Sequence, residues 1–134
     1  MRSLFSISGK VIPGSQFGRK LGYPTANLHL PNETNFYNKT GVYAAKVVVG
    51  KQQLVGMANI GFRPTLGQNS FTIEVNIFDF QEDIYGKMIT IHFIQRLRDE
   101  LKFNSPDELI TRMAEDERVT RNIFLTLDKT DSHT

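Results

Sequence analysis

Residues 18–27 read Gly-Arg-Lys-Leu-Gly-Tyr-Pro-Thr-Ala-Asn and gather two glycines, two cations, a proline and two neutral oxygen-bearing side chains. Gly18 and Gly22 permit close backbone approach. Pro24 fixes its own φ and drives Tyr23 toward extended geometry. Thr25 and Asn27 are two apart, so on an extended chain they share a face. Two hard oxygens beside a basic glycine loop suit Mg²⁺, which takes few protein ligands and completes its shell with water and substrate phosphates. The preceding loop, Gly14 to Lys20, follows a predicted strand. Its amides could cradle phosphate, with Arg19 or Lys20 adding charge. It lacks the Gly-Lys-Ser/Thr ending of a P-loop and no helix follows, so that motif is excluded. A solvated hairpin with two incidental cations also accounts for this composition, and Thr25 and Asn27 could simply face water.

Glu74 is the second chemical candidate. It lies on the polar face of a predicted strand whose other face carries Phe71, Ile73, Val75 and Ile77. An acid at such a position is ordinarily solvated. A strand nevertheless holds it rigidly enough for a general base, and a reference pKa of about 4.3 leaves it ionised near neutrality. Phosphoryl transfer to a hydroxyl asks for alignment, charge neutralisation and such a base. A third candidate is Leu97-Arg98-Asp99-Glu100-Leu101-Lys102-Phe103, read as a loop or short turn. There Arg98 and Phe103 could stack on a flat ring, worth roughly 0.5–2 kcal/mol; a solvated connector is the plainer reading.

Other chemistries are excluded. The chain has no cysteine, hence no disulfide, thiolate metal site or cysteine nucleophile, which accords with a reducing compartment. His29, His92 and His133 lack metal-ligand spacing. No Ser/His/Asp arrangement can be assembled. The formal charge of +2 is too small to argue for nucleic acid, although the pI near 9.0 raises the question. The N-terminus carries no signal peptide, and no apolar run reaches the roughly 18 residues of a membrane span. A soluble, cytoplasmic protein with no membrane or nucleic-acid partner is expected.

Strands must position these residues. Period-two alternation marks residues 5–11, 71–77 and 89–93, while 42–49 reads as a mostly buried strand and 54–60 as its successor. Pro13-Gly14, Pro31-Asn32, Gly61, Gly67 and Gly86 supply turns between them. Short, regularly spaced strands predict a sandwich or barrel. Only the end of the chain takes a helical period. Ser105 caps, Pro106 suits the first turn, Glu108 closes a capping box, and Leu109, Ile110 and Met113 form a stripe. Asp116 would extend that apolar stripe, so it is expected either to face solvent or to bond a backbone group beneath the helix. Residues 128–134 read as a polar, frayed tail. The 134 residues are expected to form one domain, 1–134.

Taken as a set, these segments resemble the riboflavin kinases, and in particular the C-terminal kinase module of bacterial bifunctional riboflavin kinase/FMN adenylyltransferases. The likeness runs from about residue 8 to about residue 116. It rests on Gly9-Lys10-Val11-Ile12-Pro13-Gly14, the 18–27 segment, Thr40-Gly41-Val42-Tyr43-Ala44, and Ala58-Asn59-Ile60-Gly61-Phe62-Arg63-Pro64-Thr65. It continues through Ile73-Glu74-Val75, Asp83-Ile84-Tyr85-Gly86 and residues 97–103.

The resemblance implies a mainly β fold, a six-stranded antiparallel Greek-key barrel with a C-terminal helix. It also implies transfer of the ATP γ-phosphate to the ribityl 5′-hydroxyl of riboflavin, giving FMN and ADP, with Mg²⁺ as cofactor. Thr25 and Asn27 would bind the metal and nucleotide phosphates. Gly14, Lys20, Ile77, Tyr85 and Asp79 would lie by the nucleotide. Glu74 would accept the hydroxyl proton, and Arg98, Leu101 and Phe103 would belong to a loop closing on the flavin. Residues 36–41 lack the proline that often precedes the matching Gly-Val-Tyr, and Leu101 stands where relatives can carry a polar residue. The kinase-like segments begin almost at Met1, so an FMN adenylyltransferase domain would lie outside this sequence, in a longer chain or on no chain at all. The alternatives are a non-catalytic flavin- or nucleotide-binding barrel, which would not need Glu74, and, behind it, a small nucleic-acid-binding barrel.

Overall fold

The computed structural model describes residues 2–13, 25–30, 36–65 and 68–131. The alternation that begins at Phe5 builds β1 (Phe5–Pro13), with Gly9 and Val11 turned inward and Ser6, Ser8 and Lys10 outward. β2 (Ala26–Leu28) is short. A single 3-10 turn, Tyr37–Lys39, which no sequence signal announces, leads into β3 (Gly41–Val49). Then follow β4 (Gln52–Thr65), β5 (Gln68–Ile77), β6 (Met88–Arg98) and one helix, α1 (Pro106–Asp131).

The six strands close a barrel in the order β1-β2-β5-β4-β3-β6, every pair antiparallel. β3, β4 and β5 follow one another as neighbours, and β6 returns to lie beside β3. That 6-3-4-5 order is a Greek key, as expected. The inward positions of all strands fill the barrel: Val11, Val47, Ile60, Ile73, Ile91 and Phe93 are almost wholly buried. Phe5 stacks on Phe93 with ring centroids 4.5 Å apart, and Tyr43 meets Phe93 edge-on at 5.1 Å.

Three details bear on the site. First, β4 and β5 approach unusually closely at Gly56. A Cβ there would stand 2.2 Å from the Asn76 carbonyl oxygen, so only glycine fits. Secondly, the β3–β6 register shifts twice. Ile94 and Leu97 are the extra residues of β6, and the second shift brings Arg98 opposite Val42. Thirdly, α1 starts where Ser105 and Pro106 predict. The Glu108 amide donates to Ser105 Oγ at 3.2 Å, while the Glu108 carboxylate accepts from the Asn104 amide at 2.9 Å. The capping box therefore closes one residue upstream of its usual partner.

The structure corrects three boundaries. β4 extends beyond residues 54–60 at both ends: Gln52 and Gln53 pair with Val49 and Val48 of β3, and pairing with β5 runs unbroken from Gly56 through Gly61, where a turn was expected, to Thr65. Leu97 and Arg98 belong to β6 rather than to a loop, held by the pairing of Arg98 with Val42. The helix extends past residue 128 to Asp131. No glycine or proline interrupts it after Phe124, and Leu127 remains half-buried.

Candidate active site

Strand register alone assembles a row of functional side chains. Asn27 pairs with Glu74 across β2–β5, Glu74 with Asn59 across β5–β4, Asn59 with Val42, and Val42 with Arg98. Their neighbours Leu28, Ile73, Val75 and Ile60 point into the core. The row therefore lies on the outer face of the barrel, because successive side chains alternate across a strand.

Residues 99–105 and the first turns of α1 pass over this face and leave a cavity of about 260 Å³. Its polar lining is Thr25, Asn59, Glu74 and Asn76 from the barrel and Glu100 from the covering segment. Its apolar lining is Met57 from the barrel and Leu101, Phe103, Leu109 and Met113 from the cover. An apolar slot with convergent polar groups is the usual form of a small-molecule site. Asn59 Nδ2 donates to Glu100 Oε2 at 3.2 Å, which fastens the covering segment to the barrel.

A second cavity, about 460 Å³, lies beyond Thr25. Its walls include Ala26, Ile77, Phe80, Asp83, Ile84 and Tyr85, and Thr25 lines both spaces. Tyr85 is held in part by its own amide, which donates to Asp83 Oδ1 at 3.0 Å.

Among the described residues, three oxygens in this region are buried without a hydrogen-bond partner: Thr25 Oγ1, Asn27 Oδ1 and Asn59 Oδ1. Leaving a polar atom in that state costs about 1–3 kcal/mol. Such groups ask for an explanation, and here a ligand or ion meeting Thr25 and Asn27 would supply one. Both are neutral hard oxygens, a donor type that Mg²⁺ accepts. Among the described residues no three acidic or imidazole side chains gather into a cation cage. A metal here would therefore lean on substrate oxygens.

The predicted site residues thus fall into groups. Thr25, Glu74, Arg98, Leu101 and Phe103 converge on the first cavity. Thr25, Ile77 and Tyr85 line the second, and Asn27 stands opposite Glu74. Gly14 and Lys20 lie outside the described residues. Asp79 lines neither cavity. It sits just past β5 in the left-handed region, φ 58°, with its carboxylate on Arg121 at 3.1 and 3.3 Å. Those bonds hold the Asp79 carboxyl below the usual aspartate range.

Arg98 is less free than a ring-stacking residue was expected to be. Its Nε donates to both Asp116 carboxylate oxygens, at 3.0 and 3.1 Å, and its Nη2 donates to Oδ2 at 2.7 Å. Both expectations for Asp116 are thereby corrected. It is buried rather than solvated, and it bonds a guanidinium rather than a backbone group, because a carboxylate inside an apolar helix face needs a full counter-charge. Sequence reasoning passed over Asn59, Asn76 and Glu100. Asn59 did carry a signal, as a polar residue breaking the apolar run of β4.

Comparison with known proteins bears on this geometry. The family model described as "Flavokinase: Riboflavin kinase" matches residues 1–124. The bifunctional riboflavin kinase/FMN adenylyltransferase of Haemophilus influenzae is 38% identical over 121 residues, 90% of this chain and 39% of that protein. Its Bacillus subtilis counterpart is 39% identical over 128 residues, 93% of this chain and 40% of that protein. The chain thus spans about two fifths of the length of these relatives. A crystal structure from Streptococcus pneumoniae described as a macrolide-efflux protein superposes with a TM-score of 0.80 and 41% identity, covering 87% of this chain and 38% of that one. Riboflavin kinase from Trypanosoma brucei superposes with a TM-score of 0.65 at 24% identity, over 90% of this chain and 79% of that one, a likeness of fold. Among the described residues no helix is long and apolar enough to cross a membrane.

Proposed function

This chain belongs to the riboflavin kinase family, and on that premise we propose that it transfers the γ-phosphoryl group of Mg-ATP to the ribityl 5′-hydroxyl of riboflavin, giving FMN and ADP. The observation that carries this reading is the position of Thr25 at the seam of two cavities, with Asn27 and Glu74 facing each other beside it. A flat ring would enter the first cavity, between the polar barrel face and the apolar cover of Leu101, Phe103, Leu109 and Met113. The nucleotide would occupy the second, against Ile77 and Tyr85. Donor and acceptor would then meet where the unsatisfied oxygens lie.

In that arrangement the Glu74 carboxylate takes the proton of the 5′-hydroxyl as its oxygen bonds to the γ-phosphorus and the bond to the ADP oxygen breaks. β5 fixes the direction of Glu74, since Ile73 and Val75 on either side are locked in the core. Thr25 Oγ1 and Asn27 Oδ1 would hold Mg²⁺, which neutralises phosphate charge when bound. Phe103 and Leu101 would keep water from the transferring group, suppressing hydrolysis of ATP. In a longer chain of the kind the relatives form, the FMN produced would be substrate for an FMN adenylyltransferase domain.

The test is direct: purified protein with riboflavin and Mg-ATP, followed by chromatography of the flavins. FMN should accumulate with equimolar ADP. A folded protein that binds riboflavin but forms no FMN would instead fit a non-catalytic flavin-binding barrel.

A further inference from the structure

The face of α1 that meets the barrel carries Leu109, Met113, Asp116, Thr120 and Phe124, spaced for one side of a helix. An acid at the centre of such a face is costly unless paired. Asp116 is paired in the strongest geometry available, a fork of Arg98 N–H groups across both carboxylate oxygens, with side-chain exposures of 12% and 6%. The other cation facing it is Arg112, whose Nε stands 3.7 Å from Oδ1 on a half-exposed side chain. A buried pair of this kind gives little net stability over an apolar replacement, because desolvation offsets the attraction. What it supplies is direction.

That direction leads to the cover of the first cavity. Arg98 ends β6, and its Nη1 donates to the Asp99 carbonyl oxygen at 3.0 Å. Its guanidinium also lies over the Phe103 ring at 5.9 Å. One planar group therefore joins the helix, the end of a barrel strand, and both ends of segment 99–103. That segment contributes Glu100, Leu101 and Phe103 to the cavity wall.

We propose that Asp116 is a positioning residue for riboflavin: through Arg98 it sets where segment 99–103 stands over the ring-binding cavity, an inference that rests on the kinase reading above. It lines the first cavity beside Arg98 but not the nucleotide cavity, so its loss should fall on one substrate, and the exchange rates separate placement of the segment from a direct contact. Asp116→Asn keeps the side chain's shape and removes its charge. In this variant the amides of residues 99–103 should exchange with deuterium about tenfold faster while those of β4 and β5 are unchanged. The KM for riboflavin should rise about tenfold, with the KM for ATP and kcat moving less than about threefold. Glu115→Gln, which breaks an exposed pair with Arg118 on the same helix, should leave all three at wild-type values. If Asp116→Asn does not fold, Arg98→Lys, which keeps the charge without the fork, is read in the same way.

Unchanged exchange at 99–103 would overturn the proposal. So would faster exchange with an unchanged riboflavin KM, or equal losses for both substrates, the mark of a merely structural role. A wild-type chain that neither binds nor phosphorylates riboflavin would sink the kinase reading and the substrate half of this one; the exchange rates would still decide whether Asp116 places the segment.

Discussion

Asn27 and Glu74 face each other across the β2–β5 pairing, and the side-chain oxygen of Asn27 is buried there with no hydrogen-bond partner among the described residues. A carboxylate and a hard amide oxygen are thus fixed side by side by strand register. The first expectation follows from this pairing. Glu74→Gln keeps the volume of the side chain but replaces an acceptor oxygen by an NH₂ donor and removes the proposed base. Turnover of riboflavin should fall by roughly 10²–10⁴, the usual worth of a general base, with little change in either KM. Steady-state kinetics with a circular-dichroism check of folding decides it; an unchanged kcat would move the base elsewhere.

Thr25 separates stability from function. Its hydroxyl oxygen is buried and finds no hydrogen-bond partner among the described residues, which implies a desolvation cost there. Thr25→Val is nearly isosteric and removes that oxygen. Without ligand the variant should be more stable by about 1 kcal/mol, at the low end of the cost of an unsatisfied buried group. Its affinity for Mg-ATP should drop in calorimetry, and its affinity for riboflavin should drop less. A variant that is both less stable and equally able to bind Mg-ATP would show that the hydroxyl has a structural partner instead.

How far the sequence reaches is visible in these same residues. Period-two alternation marks β1, β5 and β6, and apolar runs mark β3 and β4. The three-residue β2 is too short to alternate, yet its site residue Asn27 and Glu74 on β5 could be named before their pairing was known. What alternation cannot give is register. Nothing local tells Asn27 that Glu74 is its neighbour, or tells Glu74 that Asn59 lies on its other side; closure of the barrel decides both. The partner of Asp116 was hidden for a related reason. Arg98 reaches it only because bulges at Ile94 and Leu97 bring the end of β6 opposite Val42. A long-range ion pair leaves no periodic trace, whereas the helix start at Ser105 is written in four consecutive residues.

Asp79 and Arg121 give a pH-dependent outcome. Arg121 holds the Asp79 carboxyl below the usual aspartate range by hydrogen bonds and charge. A group whose folded-state pKa is depressed adds stability above its unfolded value and loses it as pH falls through the folded value. The pair should therefore help at neutral pH and fade only in strong acid, below the ordinary aspartate range. Asp79 is 78% exposed on its side chain, so the effect should be small and weakened by salt. Asp79→Asn should lower the midpoint of urea unfolding slightly at pH 7, and the difference should vanish when the comparison is repeated in strong acid. A difference that persists there would assign the effect to the left-handed backbone at this position rather than to charge.

Gly56 ties the barrel to the site most sensitively. Any Cβ at this position would meet the carbonyl oxygen of Asn76 at 2.2 Å, and that neighbour is backbone, which cannot swing aside as a side chain can. Gly56→Ala must therefore push β4 from β5 next to Asn76, which lines the first cavity two residues beyond Glu74. Overpacking typically costs about 1–3 kcal/mol, and relief through a shifted strand should place this substitution at the upper end. Because the strands that move carry Asn59 and Glu74, kcat should fall as well, while Gly50→Ala serves as the contrast. There an added Cβ meets nothing within 4 Å, so only the cost of the left-handed backbone, φ 59°, remains. Unfolding midpoints and kcat for the two variants separate the outcomes: Gly50→Ala should lose stability at unchanged kcat, and Gly56→Ala should lose both.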